Sequence, residues 1–145
     1  MDVSYDRATA QTMALCAALR PACVVGIGVA RRRAVVTVET TGYRFADGVT
    51  LDADGCAQHD LEAGGPPSVQ MDAPAARLAV GMGGVVGSDP GRYVCNAWIY
   101  RTTRALQGTI PICFVHIPPS GLMPTLLVRA LAGWASGGNH GPQPL

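Results

Sequence analysis

The sequence predicts an α/β domain: a three-layer α/β/α arrangement around a mostly parallel, twisted sheet. Short apolar runs rich in valine and isoleucine alternate along the chain with segments whose apolar residues recur every three or four positions. This alternation is typical of strands that are connected by helices. The first run, residues 22–28, is apolar at every position, as expected for a strand buried on both faces of a parallel sheet.

The elements of the first half follow from local signals. A helix is predicted over residues 6–20, with Asp6 as its N-cap and Pro21 at its end. Strands are predicted over residues 22–28 and 34–41. Residues 42–67 are rich in Gly, Asp and Pro and predict a long loop, which in compact domains is usually functional or mobile.

The second half continues the alternation. A short edge strand over residues 68–71 leads to a helix that begins with Asp72 as N-cap and ends near Met82. A strand that ends at Val86, a helix that contains Cys95, and a strand over residues 110–117 come next. A last helix is predicted over residues 122–134. We therefore expect one domain over residues 1–135, followed by a flexible tail over residues 136–145.

The composition argues against several classes of protein. Apolar residues make up 48% of the 145 residues and charged residues 14%, which argues against disorder. The net charge of +1 gives no strong basic or acidic field, so no nucleic-acid and no membrane partner is expected. Arg31, Arg32 and Arg33 form a short basic run, which we interpret as a solvated turn rather than a nucleic-acid patch.

The five cysteines indicate a reducing compartment. Their number is odd, no C-x-x-C pair occurs, and neither a signal peptide nor a membrane-spanning run is recognisable. A cytoplasmic location is therefore predicted. Cys16, Cys23 and Cys113 lie in or beside apolar segments and are expected to be buried, whereas Cys56 lies in a loop and can be exposed.

A turn and the start of a helix surround Cys95. Residues 88–100 have the sequence SDPGRYVCNAWIY, in which Asp-Pro-Gly is typical of a turn and the residues after it recur at helical spacing. Cys95 is thereby predicted near the start of a helix, where free backbone N–H groups and the helix dipole favour a thiolate. It is the candidate nucleophile.

A histidine at the end of a strand is the candidate base. Residues 111–119 have the sequence PICFVHIPP, which predicts an apolar strand that presents His116 and is stopped by two prolines. Cys95 and His116 are 21 positions apart, an interval that accommodates one helix and one strand. A right-handed crossover would bring both residues to the carboxyl edge of neighbouring strands, where the sites of α/β proteins lie.

These two segments resemble the pyroglutamyl peptidase I family, the pyrrolidone-carboxylate peptidases. The family's nucleophile motif, S-x-x-G-x-[YF]-V-C-N, is matched by Ser88, Gly91, Tyr93, Val94, Cys95 and Asn96. Its histidine motif, F-[IV]-H-[VI]-P, is matched by Phe114, Val115, His116, Ile117 and Pro118. The resemblance covers residues 3–134, loosely between the motifs. It implies a phosphorylase/hydrolase-like fold and a cysteine peptidase that removes N-terminal pyroglutamyl groups from peptides.

The resemblance also implies further site residues. The third catalytic member of the family is a glutamate on an earlier strand, matched here by Glu39, whose carboxylate would accept the second N–H of His116. The residues after Glu39 differ from the family's pattern E-R-x-A-x-N. Tyr93 and Val94 match positions that line the pocket for the pyroglutamyl ring, and backbone N–H groups near Cys95 would hold the oxyanion. No metal and no organic cofactor is implied.

The chain departs from the family in two places. The family opens with a strand and a G-F-x-P-F loop that forms much of the pocket, whereas residues 1–6 match only the segment before the first long helix. The family has an arginine that assists at the oxyanion, and Val49 occupies its position here. Asp52 and Gly55 match later residues of the family's loop, which supports this alignment. An N-terminally shortened, divergent member is therefore expected. Because a sheet that lacks a strand exposes backbone edges, self-association into a homo-oligomer is also predicted.

Other functions remain open at this stage. The chain can be a catalytically impaired relative that serves as a binding or assembly module, or a different thiol hydrolase that uses the same residues. Cys95 and His116 can also be packing residues, and Glu39 a solvated charge at a strand end.

Two further motifs are weak. A zinc site formed by Cys56, His59 and Asp60 lacks a fourth ligand and the usual ligand spacing. The pair Gly26-x-Gly28 lacks the third glycine of a dinucleotide-binding fingerprint, and no helix is predicted to begin there. Neither motif therefore changes the function that we expect.

Overall fold

The computed structural model describes residues 3–120 and 124–137. Within these ranges the helices are α1 (Arg7–Leu19), α2 (Ala75–Gly81), α3 (Val94–Leu106) and α4 (Pro124–Gly137). The strands are β1 (Val24–Val29), β2 (Thr37–Glu39), β3 (Thr41–Tyr43), β4 (Ser68–Gln70), β5 (Val85–Gly87) and β6 (Ile112–Ile117).

The main sheet in the described ranges has the strand order β1-β6-β2-β5. β1 pairs with β6 and β2 pairs with β5 in parallel, whereas β2 and β6 are antiparallel. The sheet is therefore mixed but mostly parallel, and the predicted α/β class is confirmed. β3 and β4 form a separate antiparallel pair.

Helices cover both faces of the main sheet. On one face α2 and α4 pack against β2 and β6, and Leu78, Val38 and Val115 are almost fully buried between them. On the other face α1 and α3 pack over β6, with Trp98 and Phe114 at the centre of the contact. The predicted three layers are therefore present, and two apolar cores fix the position of β6 between them.

Of the strand predicted over residues 34–41, only β2 (Thr37–Glu39) lies in the main sheet, and β3 (Thr41–Tyr43) extends from its last residue into the predicted loop. β2 ends at Glu39, and at Thr40 the backbone N–H and the side-chain hydroxyl both donate to the carbonyl of Gly87, at 2.8 and 3.1 Å. The chain then leaves the main sheet and packs β3 against α3, where a Cβ at Gly42 would lie 2.8 Å from the backbone nitrogen of Tyr100. The predicted edge strand at residues 68–71 pairs with β3 and so belongs to the small second sheet.

Both predicted side-chain caps are wrong. Asp6 occupies the N-cap position of α1 without a capping hydrogen bond, because its carboxylate pairs with Arg101 at 2.7 Å. The backbone N–H of Arg7 is instead satisfied by the hydroxyl of Ser4. Asp72 lies before α2, but its carboxylate accepts the backbone N–H of Ile112 at 2.9 Å and so ties the approach to α2 to the start of β6.

Gly26 and Gly28 are explained by packing. A Cβ at Gly26 would lie 2.4 Å from Phe114 Cδ2 and 2.6 Å from Trp98 Cζ3, and one at Gly28 would lie 3.0 Å from Cys95 Sγ. Such distances leave no room for a side chain, so α3 can approach β1 only because these positions are glycine.

The C-terminal predictions are met only in part. Residues 136 and 137 belong to α4, whereas the rest of the predicted tail, and the predicted start of the last helix at residues 122–123, lie outside the described residues. None of the helices in the described ranges is long and apolar enough to cross a bilayer.

Candidate active site

Cys95 lies in the first turn of α3 and is half-buried. Residues 88–93 connect β5 to this helix, with Gly91 at a positive φ of 83° and with the backbone N–H of Gly91 donating to the carboxylate of Asp89. Tyr93 has an extended backbone and directly precedes the helix. Because the first N–H groups of a helix have no helical acceptor, the sulfur lies beside free backbone donors and the positive end of the helix dipole.

His116 lies close to Cys95 because β6 pairs with β1. Its register partner in β1 is Gly28, and a Cβ at Gly28 would lie 3.0 Å from Cys95 Sγ and 3.3 Å from His116 Cδ2. The Cys95 side chain lies close enough to the imidazole to raise the pKa of His116. The ring is only 4% exposed and makes an edge-to-face contact with Phe114, with ring centroids 5.0 Å apart.

Glu39 accepts the hydrogen bond of the other ring nitrogen. His116 Nδ1 lies 2.8 Å from Glu39 Oε1, and the carboxylate is 1% exposed. The antiparallel register places Thr37 opposite His116 and Glu39 opposite Phe114. Glu39 and His116 are therefore diagonal neighbours on one face of the sheet, within reach of long side chains.

The structure differs in one respect from the crossover predicted between Cys95 and His116. β5, the strand before Cys95, is not the neighbour of β6 and runs antiparallel to it, because β2 lies between them. The proximity of the two residues comes from α3, which crosses the face formed by β1 and β6 and which packs there on Gly26 and Gly28.

The pKa of His116 reflects these contacts. Burial alone would lower it, but the interactions of the imidazole with the side chains of Cys95 and Glu39 outweigh burial and raise the pKa to about 9 from 6.5. A protonated imidazole next to a sulfur is the arrangement that stabilises a thiolate. Chemically, the three side chains can form a nucleophile, a proton carrier and an orienting carboxylate.

Arg33 was interpreted from the sequence as part of a solvated turn, which is wrong. Its guanidinium donates to Glu39 Oε1 at 2.7 Å and to the carbonyl of Asp89 at 2.6 Å. It thus connects the buried carboxylate to the segment that precedes Cys95. The signal available in the sequence is its position six residues before Glu39, but that spacing indicates a contact only once the turn into β2 is known.

An open cavity of about 320 Å³ surrounds the sulfur and the imidazole. Tyr93 lines it, and its hydroxyl donates to the carbonyl of Leu51 at 2.8 Å. Val94 does not line it: the side chain is buried beside Tyr5 and Tyr100 in a third apolar cluster beneath the long loop. The other residues that form the wall are Ala30, Arg31, Arg32, Arg33, Asp89, Pro90, Gly91, Cys95 and His116.

A larger apolar groove of about 410 Å³ lies between α1 and β1. Cys16 and Cys23 border it, but no histidine or carboxylate does. A hydrolytic site needs a base next to its nucleophile, so we take the cavity at Cys95 as the candidate site although it is the smaller of the two.

Asn96, the last residue of the cysteine motif, has a structural role. It is fully buried, accepts the backbone N–H of Tyr43 at 2.8 Å, and donates to the carbonyls of Tyr43 and Phe45. These bonds fix β3 and the beginning of the long loop to α3, directly next to Cys95. The resemblance gave no role to Asn96, although its place in the motif is the signal.

The remaining cysteines and the weak metal motif lie elsewhere. All five cysteines are free. Cys16 and Cys113 are buried and Cys56 is exposed, as predicted, whereas Cys23 is only half-buried. Burial raises the pKa of the Cys113 thiol to about 12. His59 contacts the ring of Phe45, and no group of three or more His, Cys, Asp or Glu side chains suited to a metal occurs among the described residues.

The position expected for the oxyanion-assisting arginine is occupied by Val49, which is 78% exposed. Asp52 nearby is buried and accepts the backbone N–H groups of Tyr5, Asp54 and Cys56. These bonds lower the pKa of Asp52, and the bond from the backbone N–H of Tyr5 has the largest effect. Asp52 therefore organises the long loop and holds the segment before α1 against it.

Comparison with known proteins supports the resemblance. No model of a known protein family matches the chain. A pyrrolidone-carboxylate peptidase of Cupriavidus taiwanensis is 32% identical over 111 residues, which cover 69% of this chain and 51% of that relative. The chain belongs to the pyrrolidone-carboxylate peptidase family. It spans about half the length of the curated relatives that it matches.

Solved structures of pyroglutamyl peptidases have the same fold as this chain. The pyroglutamyl peptidase I of Bacillus amyloliquefaciens superposes with a TM-score of 0.80 at 19% identity, covering 95% of this chain and 77% of that one. The pyrrolidone carboxyl peptidase of Thermus thermophilus gives a TM-score of 0.73 at 23% identity, covering 93% of this chain and 78% of that one. At these identities the likeness concerns the fold alone.

Proposed function

We propose that the chain is a cysteine peptidase that removes an N-terminal pyroglutamyl group from peptides, with Cys95 as nucleophile, His116 as proton carrier and Glu39 as the orienting carboxylate. The observation that carries the proposal is that Cys95 and His116 line one cavity, while His116 Nδ1 lies 2.8 Å from Glu39 Oε1. The names of the relatives, pyrrolidone-carboxylate peptidases, supply the substrate class.

In the acylation step, the Cys95 thiolate attacks the carbonyl carbon of the pyroglutamyl residue. The C–S bond forms, the oxyanion is held by free N–H groups at the start of α3, and the C–N bond then breaks. The leaving amine takes the proton from His116 Nε2 and departs as the shortened peptide. The product on the enzyme is a pyroglutamyl thioester of Cys95.

In the deacylation step, His116 takes a proton from water, and the hydroxide adds to the thioester carbonyl. The C–S bond breaks, pyroglutamic acid leaves and loses its carboxyl proton to solvent, and the thiolate and imidazolium are restored. Glu39 remains hydrogen-bonded to Nδ1 throughout, so it fixes the tautomer that exposes Nε2 to the sulfur. No electron transfer is involved in either step.

Substrate contacts belong to the same proposal. Tyr93 lies on the wall of the cavity next to Cys95 and is the side chain that we assign to the pyroglutamyl ring. Val94 is buried beneath it, and its predicted contact with substrate stays a prediction. The catalytically impaired alternative is not favoured by a specific observation, and the ion pair between His116 and Glu39 supports an active enzyme.

The predicted oligomer and location also remain proposals. Within the described ranges β1 has a strand neighbour on one side only, and its residues Ile27 and Val29 are exposed, which supports self-association. The five free cysteines support a reducing compartment such as the cytoplasm. Sedimentation velocity of the purified chain tests the first proposal: a monomer at all concentrations would contradict it.

Hydrolysis of a pyroglutamyl-coumarin amide by the purified chain tests the activity. We expect release of coumarin that is lost in Cys95→Ala and retained in Cys56→Ala, because Cys56 is exposed and does not line the cavity that holds His116. Activity that survives Cys95→Ala would contradict the assignment of the nucleophile. No hydrolysis by a folded wild-type chain would contradict the substrate.

A further inference from the structure

The turn between β1 and β2 carries three arginines on the wall of the cavity that holds Cys95 and His116. The backbone N–H of Arg33 donates to the carbonyl of Ala30 at 3.0 Å and closes the turn. The N–H of Ala30 donates to the carbonyl of Ile117 at 2.9 Å, one residue beyond His116. The turn is therefore attached to the strand that presents the imidazole.

The charges on this wall are not balanced. Arg33 is compensated by Glu39, at 2.7 Å, and Asp89 by Arg92, also at 2.7 Å. Arg31 and Arg32 are exposed and have neither an ion pair nor a hydrogen bond within the part of the chain that the structure describes. In the proposed mechanism the Cys95 thiolate and the His116 imidazolium form a neutral pair, so two positive charges on the cavity wall are left without a counter-charge.

Arginines elsewhere in the described ranges mostly pair with carboxylates. The ion pairs are Arg7–Asp54, Arg44–Asp60, Arg101–Asp6 and Arg104–Glu62. These pairs break up any extended basic surface of the kind that binds a nucleic-acid backbone. The uncompensated charge at the turn is local and lies beside the reactive sulfur, which favours a small anionic group of the substrate.

We propose that Arg31 and Arg32 make the cavity selective for substrates that carry a carboxylate on the leaving side of the scissile bond. The proposal rests on the peptidase function proposed above and adds a substrate class to it. The pyroglutamyl ring is uncharged, so the carboxylate must belong to the leaving group. It is either the α-carboxylate of a pyroglutamyl dipeptide or an acidic side chain on the residue after the bond.

The first test does not require peptidase activity. Iodoacetate and iodoacetamide both alkylate a thiolate with loss of iodide, but only iodoacetate is an anion. We measure both alkylation rates at Cys95 by peptide mass spectrometry, with exposed Cys56 as internal reference. The double variant R31Q/R32Q should lower the iodoacetate-to-iodoacetamide ratio at Cys95 about three- to tenfold, as expected for two exposed charges, and leave the ratio at Cys56 unchanged.

The matched control is the double variant R77Q/R129Q. It removes the same charge from α2 and α4, where both side chains border a different cavity. Its alkylation ratio at Cys95 should equal that of the wild type, and added salt should reduce the wild-type preference, because salt screens exposed charges. A ratio at Cys95 that R31Q/R32Q leaves unchanged would overturn the proposal even if peptides are cleaved.

The second test distinguishes the two sources of the carboxylate. Pyroglutamyl-alanine is compared with pyroglutamyl-alaninamide, and pyroglutamyl-aspartyl amide with pyroglutamyl-asparaginyl amide. For each pair, kcat/KM for the substrate with the carboxylate is divided by kcat/KM for its uncharged partner. The pair for which this ratio falls in R31Q/R32Q, but not in R77Q/R129Q, identifies the source of the carboxylate. Cleavage with no carboxylate preference in either pair would overturn the proposal. No cleavage of any peptide would refute the peptidase function, and the alkylation ratio would still decide whether the cavity favours anions.

Discussion

At Glu39 a carboxylate that is almost fully buried is approached by two cationic groups. His116 Nδ1 and Arg33 Nη2 both lie within 2.8 Å of Oε1, whereas Oε2 is buried without a hydrogen-bond partner. A buried carboxylate is costly unless it is paired. The charge of Glu39 therefore depends on both partners, and each of them should affect the stability and the chemistry of the site.

The pH dependence of stability follows from His116. Since its pKa is raised to about 9 in the native state, the native chain keeps a proton that the unfolded chain releases at a lower pH. The free energy of unfolding should be highest below about pH 6.5 and fall as the pH rises toward 9. Urea unfolding across this range measures it. In Glu39→Gln the fall should be smaller, because one group that raises the pKa of His116 is gone.

His59→Gln is the control for this experiment, because the side chain of His59 is exposed. The free energy of unfolding of this variant should fall with pH as it does in the wild type. If Glu39→Gln is too unstable for urea unfolding, an NMR titration of the His116 ring gives the same information. An unchanged decline in Glu39→Gln, or a wild-type His116 that titrates near pH 6.5, would contradict the account.

Arg33 should act as a positioning residue for the site. Arg33→Ala removes hydrogen bonds to Glu39 and to Asp89, and hydrogen bonds to a charged group contribute about 1.5–3 kcal/mol. We expect kcat on the coumarin amide to fall about 10- to 100-fold, with partial recovery in Arg33→Lys, which keeps the charge but not the planar guanidinium. Equal losses in both variants, together with loss of folding, would reduce Arg33 to a purely structural role.

The residues of the site differ in how far the sequence predicts them. Cys95 and His116 stand out because a turn, a helix start and a proline-stopped strand surround them. Arg33 does not, because an arginine in a turn is usually solvated and only the three-dimensional position of Glu39 makes it a partner. For Val94 the motif predicts a pocket residue that the structure does not place in the pocket. Val94 follows Tyr93 in the motif, but the helix that begins there directs its side chain into the core.

At the scale of the elements, β1 and α3 form the support of the site. α3 reaches β1 only because Gly26 and Gly28 have no side chain, and Trp98 fills the space above Gly26. The alternation of strands and helices was predictable because apolar periodicity is local. The antiparallel pairing of β2 with β6 was not predictable, since the three residues of β2, Thr-Val-Glu, carry no information about strand direction. The division of the predicted strand at Thr40 likewise depends on the tertiary contact of β3 with α3.

Gly26→Ala tests the close packing of α3 on β1. A Cβ would lie 2.4 Å from Phe114 Cδ2 and 2.6 Å from Trp98 Cζ3, and overpacking of a core costs about 1–3 kcal/mol. We expect the free energy of unfolding, measured in urea, to fall by about this amount. Gly133→Ala in α4 is the control, because its Cβ meets nothing within 4 Å and alanine favours a helix by about 0.5–1 kcal/mol. Equal stability of Gly26→Ala and wild type would contradict the packing.

At the scale of the whole molecule, the three-layer arrangement brings residues from distant parts of the chain together at one site. Glu39 from β2, Cys95 from α3 and His116 from β6 meet on one face of the sheet, and the turn with Arg33 closes the cavity from the side. The chain covers about half of its curated relatives.

The most direct measurement is affinity labelling of the purified wild-type chain with pyroglutamyl chloromethyl ketone, followed by peptide mass spectrometry. The account predicts that one label attaches at Cys95, in parallel with the loss of hydrolysis, and that exposed Cys56 reacts far more slowly. Free pyroglutamate should protect Cys95 from the label. Labelling of Cys56 at the same rate as Cys95, or full hydrolysis by a chain already labelled at Cys95, would contradict the central claim that Cys95 is the nucleophile of a pyroglutamyl-directed site.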